Sequence, residues 1–193
     1  GNSNDVPKLV TTGGITVTGT TAGTYTGHQG VYVGFADFNA GSSSITITSD
    51  RRIQFGAANT FASPVSVTSS ADVLVSAAQT FNGASTGTSV RLTSSGTNVV
   101  IQGAITAAGG VETSAAGTTA LEANISAGAP GVLIKSVGRI TGTAGASAAS
   151  PRLIGTAGGP ITLWTTGATG GVALANFTPV SYTHLTLPTN REV

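Results

Sequence analysis

Short runs in which apolar residues alternate with Thr, Ser or Gln recur along this chain, and from Ile45 to Phe81 they recur with a period of 20. Ile45–Phe61 laid over Val65–Phe81 gives six identities in seventeen positions: Thr48/Thr68, Ser49/Ser69, Ala57/Ala77, Ala58/Ala78, Thr60/Thr80 and Phe61/Phe81. The alternating apolar positions coincide as well, Ile45/Val65, Ile47/Val67, Ile53/Val73 and Phe55/Val75. Alternation marks a strand with one face buried, and two such runs per fixed period mark stacked repeats. Each run is too short to bury its apolar face alone. The coils must therefore stack in parallel at about 4.8 Å and fill a thin cylinder with their inward side chains. The pattern predicts an all-β solenoid with coils of about 20 residues. Val, Ile, Leu, Phe and Ala are expected inside, with Thr and Ser on the outer face. The segment Ala57-Ala58-x-Thr-Phe and its copy at Ala77 predict a third short side, with Phe61 stacked on Phe81.

The same pattern extends in both directions. Ile15–Thr18 alternates as a strand between Gly13-Gly14 and Gly19, and Thr24–Thr26 with Val31–Phe35 are expected as the two runs of the coil before Ile45. The register breaks at Asn82-Gly83-Ala84-Ser85-Thr86-Gly87-Thr88-Ser89, a loop-like composition that adds about five residues. It resumes at Val90–Ser95, which matches Val65–Ser70 at a shift of 25, and Asn98–Ile101 matches Asp72–Val75 at a shift of 26. The first run is then expected near Val111, Val132 and Leu153, the second near Leu121, Ile140 and Ile161, and Val172–Phe177 begins a further turn. Stacking at these spacings sets Arg52 over Asp72 and Arg91 over Glu112. Such exposed pairs are worth about 0.2–1 kcal/mol and read as solvated ladder contacts.

Composition narrows the function classes. Charged residues are only 8% of 193 and the net charge is +1, which gives no footprint for nucleic acid or an anionic membrane. No apolar run approaches the ~18 residues of a transmembrane helix. Cysteine is absent, so disulfides and Cys-based metal or redox sites are excluded. Methionine is absent too, and no signal-peptide pattern opens the chain. The expectation is a fragment of a longer repeat protein, with residues 1–179 forming the β-helix. Residues 180–193 differ, with no Gly and no Ala, and Val180–Thr189 resembles the translation of a transposon-end sequencing adaptor. They are expected to be a non-native tail.

Coils of this length, Thr/Ser-rich faces and phrases such as Gly103-Ala-Ile-Thr-Ala-Ala-Gly-Gly110 resemble filamentous-haemagglutinin-like exoproteins and autotransporter passenger domains. The resemblance covers about residues 45–177 and rests on pattern and composition. It implies a right-handed parallel β-helix, secreted to the bacterial outer-membrane surface, with a structural or adhesive role. The partners it implies are a host-cell glycan or protein, together with neighbouring coils of the same longer chain.

Candidate chemistry is sparse. Gly83-Ala-Ser85-Thr-Gly87 matches the G-x-S-x-G nucleophile elbow, but that motif needs a following helix and a later His. A strand pattern follows instead, and the only later His is His184 in the tail, while His28 precedes it without a local partner. No two glycines stand at i and i+2, which excludes the dinucleotide fingerprint and the Gly-Gly-x-Gly-x-Asp calcium roll. A polysaccharide-active β-helix needs clustered acids, yet the period sets Asp50 over Ser70 and Asp72 over Asn98. No catalytic residue, metal or cofactor is expected. Thr-x-Thr pairs at Thr16/Thr18, Thr18/Thr20, Thr24/Thr26, Thr46/Thr48 and Thr141/Thr143 raise ice or flat-surface binding, but Arg91 interrupts the array above Ser66/Thr68. The loop Asn82–Ser89 is the best candidate for recognition, because binding usually sits on irregularities of a rigid scaffold.

Overall fold

In the computed structural model the chain is a parallel β-helix, and the described residues are 8–20, 29–83, 86–142, 152–174, 177–180 and 185–186. Successive coils give strands to three sheets, here A, B and C, and the strands pair in parallel with the coils before and after. Sheet A stacks Lys8–Val10, Asp37–Asn39, Asn59–Phe61, Gln79–Phe81, Ile105–Ala107, Ile125–Ala127, Arg152–Thr156 and Phe177–Val180. Sheet B stacks Ile15–Gly19, Ile45–Ser49, Val65–Ser69, Thr88–Ser94, Gly110–Ala115, Val132–Ser136, Ile161–Thr165 and Leu185–Thr186. Sheet C stacks Gln29–Val33, Arg52–Phe55, Val73–Val75, Val99–Ile101, Thr119–Leu121, Arg139–Gly142 and Gly171–Leu174. Eight rungs at about 4.8 Å make a rod of roughly 35 Å.

The alternation in sequence becomes alternation in burial. Ile45, Ile47, Val65, Val67, Val90 and Leu92 line the inside of sheet B, while Thr46, Ser66 and Arg91 between them face out. Phe61 and Phe81 stack at 4.9 Å with an interplanar angle of 11°, as the period requires. Phe38 extends the stack at 5.0 Å, and Phe55 meets Phe61 edge-on at 6.1 Å. Fully burying Phe55, Phe61 and Phe81 contributes about 1.5–3 kcal/mol each, and the ring pairs add about 0.5–1.5 kcal/mol.

Not every hydroxyl faces solvent. Ser49, Ser69, Ser94 and Ser136 point inward where the chain turns from sheet B to sheet C, with Ala115 taking that place in the rung between Ser94 and Ser136. Ser69 donates to the Arg51 carbonyl at 2.6 Å and accepts from the Ala71 amide at 3.0 Å, and Ser94 donates to the Ala71 carbonyl at 2.6 Å. At a corner the backbone leaves the ladder, so its polar groups need another partner, and a short hydroxyl reaches them without filling the core. That is the role behind the Ser49/Ser69 identity. Asn59 and Gln79 are buried as well. Asn59 Nδ2 donates to Gln79 Oε1 at 2.8 Å, and Gln79 Nε2 donates to the Ala57 and Ala77 carbonyls at 2.8 and 2.9 Å.

Three register expectations are corrected. The run stacked before Ile45 is Ile15–Gly19, 30 residues earlier, and Thr24–Thr26 lies outside the described residues. Val31 does pair with Ile53. Beyond Val132 the coil lengthens: Val132 pairs with Ile161, 29 residues on, so Ile161 belongs to sheet B and Leu153 to sheet A. The sheet C partner of Ile140 is Val172, which is therefore the second run of its coil. Each slip follows a long insertion between strands, which a fixed period cannot carry.

Candidate functional site

The loop expected to carry recognition is narrower than its sequence. Among its described residues Asn82 and Thr86 are exposed, while Gly83 and Ser89 are buried; Ala84 and Ser85 lie outside the described residues. Gly83 packs so closely on the backbone of Ser63 and Pro64 that any Cβ there would overlap it. Ser89 donates to the Gly83 carbonyl and accepts from the Gly109 amide at 2.7 Å, clasping the base of the loop. Thr88 and Ser89 already belong to the strand Thr88–Ser94, which stands where a nucleophile elbow needs a helix. A ligand reaching this loop would meet Asn82, Thr86, Gly87 and Thr88.

The acids are engaged along the ladder. Arg52 and Asp72 pair at 3.2 Å, and Asp72 Oδ1 accepts from the Thr97 hydroxyl at 2.6 Å and the Asn98 amide at 3.2 Å. Partial burial pushes the Asp72 carboxyl up, but the Thr97, Asn98 and Arg52 contacts outweigh it and hold it below the usual aspartate range. Arg91 donates twice to Glu112 Oε2, at 3.0 and 2.8 Å. Lys135 approaches the other oxygen, Oε1, only to 3.9 Å. Among the described residues no three His, Cys, Asp or Glu side chains assemble as metal ligands.

The outer face of sheet B divides into two regions. One outward column reads Thr16, Thr46, Ser66, Arg91, Glu112, Leu133, Thr162, and the next reads Thr18, Thr48, Thr68, Thr93, Ser114, Lys135, Trp164. The first three rungs are a two-by-three array of hydroxyls, with Thr48 bonded to Thr18 at 3.3 Å. Spacing alone sets Thr46/Thr48 beside Ser66/Thr68, and the structure adds Thr16/Thr18 on the other side. The insertion between Gly19 and Ile45 hid that match.

The later rungs carry charge and an aromatic plane. A recess of about 220 Å³ is lined by Ser114, Lys135, Ser136, Val137, Trp164 and Thr166. A second, of about 210 Å³, lies across the other outward column, between Thr88, Glu112, Leu133 and Thr162 and the corner residues Pro130 and Pro160. Gly131, with φ +90°, makes that corner. Its Cβ would strike Pro160, so glycine serves both the conformation and the close approach. Thr88 joins the second recess to the loop. Trp164 was not singled out in the sequence, although a signal existed: Ile161 and Leu163 alternate inward, which turns the chain's one tryptophan outward.

The arrangement offers stacking, hydrogen bonding and one loosely held ammonium, which is the chemistry of binding. In comparisons with known proteins, the chain matches no family model, no curated protein and no solved structure.

Proposed function

We propose that the chain is a non-enzymatic structural and adhesive segment of a secreted bacterial surface protein, as its resemblance to filamentous-haemagglutinin-like exoproteins and autotransporter passengers implies. The observation that supports it best is the outer face of sheet B. There the side chains change from hydroxyls to charges to tryptophan over an interior that stays aliphatic in nearly every rung. A scaffold whose outside varies while its inside repeats is suited to display, with a host-cell glycan or protein as partner and further coils of the longer chain extending the rod. The test is attachment of the immobilised protein to host cells, beside assays for turnover of pectin, glycans and esters. Attachment without turnover is expected. Turnover abolished by a change at Asp72, Glu112 or Ser85 would replace this reading with a polysaccharide-active or ester-cleaving enzyme.

A second reading has one observation in its favour. The hydroxyl array of Thr16/Thr18, Thr46/Thr48 and Ser66/Thr68 presents a charge-free plane of side chains, with rungs about 4.8 Å apart. Binding to ice or another ordered surface would use that plane, and growth-rate measurements on ice crystals with Thr48→Lys would separate the two readings.

A further inference from the structure

We infer that the recess beside Trp164 is a subsite for a carboxylated sugar, the uronate or comparable acidic residue of a surface polysaccharide. This rests on the adhesive reading and adds its ligand class and its residues.

The site stands on one sheet and needs no rearrangement. Ser114, Lys135 and Trp164 are consecutive cross-strand neighbours in one outward column, so their side chains rise side by side about 4.8 Å apart. Ser136 and Thr166 close the recess at the corner toward sheet C, where the Thr166 amide donates to the Ser136 carbonyl at 3.1 Å. Trp164 is 46% exposed although Ile161 and Leu163 on the same strand are almost fully buried. A large aromatic left half in water beside hydroxyls is a platform with an apolar face and a polar surround. The apolar C–H face of a pyranose suits such a platform, and its hydroxyls find Ser114 and Thr166 at the rim.

The charge selects among sugars. Glu112 gives Oε2 to Arg91 through two bonds, so the nearest carboxylate is already engaged. Lys135 stands 3.9 Å from Glu112 Oε1, at the edge of an ion pair, and its side chain is 41% exposed. Its ammonium therefore keeps donors for a second carboxylate, and it adjoins the stacking plane. The three charges of this ladder sum to one positive, which favours an anionic ligand over a neutral or cationic one.

Because Trp164 is the only tryptophan, its fluorescence reports this site and nothing else. Titration with oligogalacturonate is expected to quench or shift the emission, more strongly at low than at high salt. A neutral oligosaccharide of equal length should bind about tenfold or more weakly. Lys135→Gln should remove most of the salt dependence and the preference for the acidic sugar while leaving emission responsive. Trp164→Ala, followed by calorimetry with an unchanged thermal transition, should abolish binding. An unaltered emission spectrum at saturating oligogalacturonate would overturn the subsite. So would equal affinity for the neutral sugar, or binding that survives Trp164→Ala. Attachment of the immobilised protein to cells separates the two levels. If the parent protein attaches but oligogalacturonate binding survives Trp164→Ala, the subsite falls and the adhesive reading stands. If the parent protein never attaches yet binds oligogalacturonate at Trp164, the reverse holds.

Discussion

The two halves of sheet B's outer face share a backbone and a lining yet present different chemistry. From Ile15 to Ser69 the outward residues are Thr and Ser, and from Arg91 to Trp164 three charges, Leu133 and an aromatic plane stand among Thr93, Ser114 and Thr162. The inward columns barely register the change: Ile45, Val65, Val90, Val111, Val132 and Ile161 are buried throughout. The ladder hydrogen bonds are made by backbone and the core by inward side chains, so the outward residues are free of the fold's demands. The residues that hold the stack together and those of the proposed recognition surface sit on opposite faces of the same strands.

The largest effect should come from the shared lining. Ile47→Ala in the hydroxyl half and Ile134→Ala in the charged half each delete a fully buried side chain. Each should cost about 2–5 kcal/mol in urea unfolding. A cost in one half far below that in the other would mean that the halves are not packed alike.

A smaller effect should come from a polar residue in the lining. Thr113 is fully buried between Leu92 and Ile134, and its hydroxyl has no partner among the described residues. Thr113→Val should therefore raise stability by about 1–3 kcal/mol. Val67→Thr, at the matching place in the hydroxyl half, should lower it by a comparable amount. Chemical denaturation of the pair reads both signs.

Acid titration probes the ladder pairs. Asp72 has its carboxyl held below the usual range in the folded chain, so its contribution is present above the unfolded aspartate pKa and is lost as pH falls through the folded value. Asp72→Asn should flatten the acid limb of the stability profile below about pH 4. The effect is small because the Arg52 side chain of the pair is 45% exposed and water screens the contact. An unchanged limb would assign the acid sensitivity elsewhere.

The smallest effect should come from converting one face toward the other. Arg91→Thr extends the hydroxyl array by a rung, setting a second hydroxyl beside Thr93 in place of the charge, and removes the exposed pair with Glu112. The thermal transition should move by no more than about 1 kcal/mol equivalent. A larger loss would show that the charges of this half support the fold as well as its surface.

Much of the fold was legible because stacking imposes a period. Where coils run without insertion, as from Ile45 to Phe81, the period alone aligned all three sheets, the Phe61–Phe81 stack and the Arg52–Asp72 pair. Legibility ended at the insertions. The 30-residue step from Ile15 to Ile45 and the 29-residue step from Val132 to Ile161 conceal the register, since added chain length between rungs costs little closure entropy and leaves the ladder intact. The candidate sites depended on those two steps, one bringing Thr16/Thr18 beside Thr46/Thr48 and the other Trp164 beside Lys135.

By itself the amino-acid sequence determined the parallel stacking and which faces of its strands are buried, because alternation is a local property that any strand must obey. Only the tertiary structure decided which rungs are neighbours and which corner backbone groups the inward Ser69 and Ser94 hydroxyls satisfy. The hydrogen bonds that Asn59 and Gln79 make within the core were decided there too, although the period already sets the two residues side by side. Those outcomes depend on where distant segments meet and on which backbone groups lack a ladder partner there, and neither is written in the spacing of a single run.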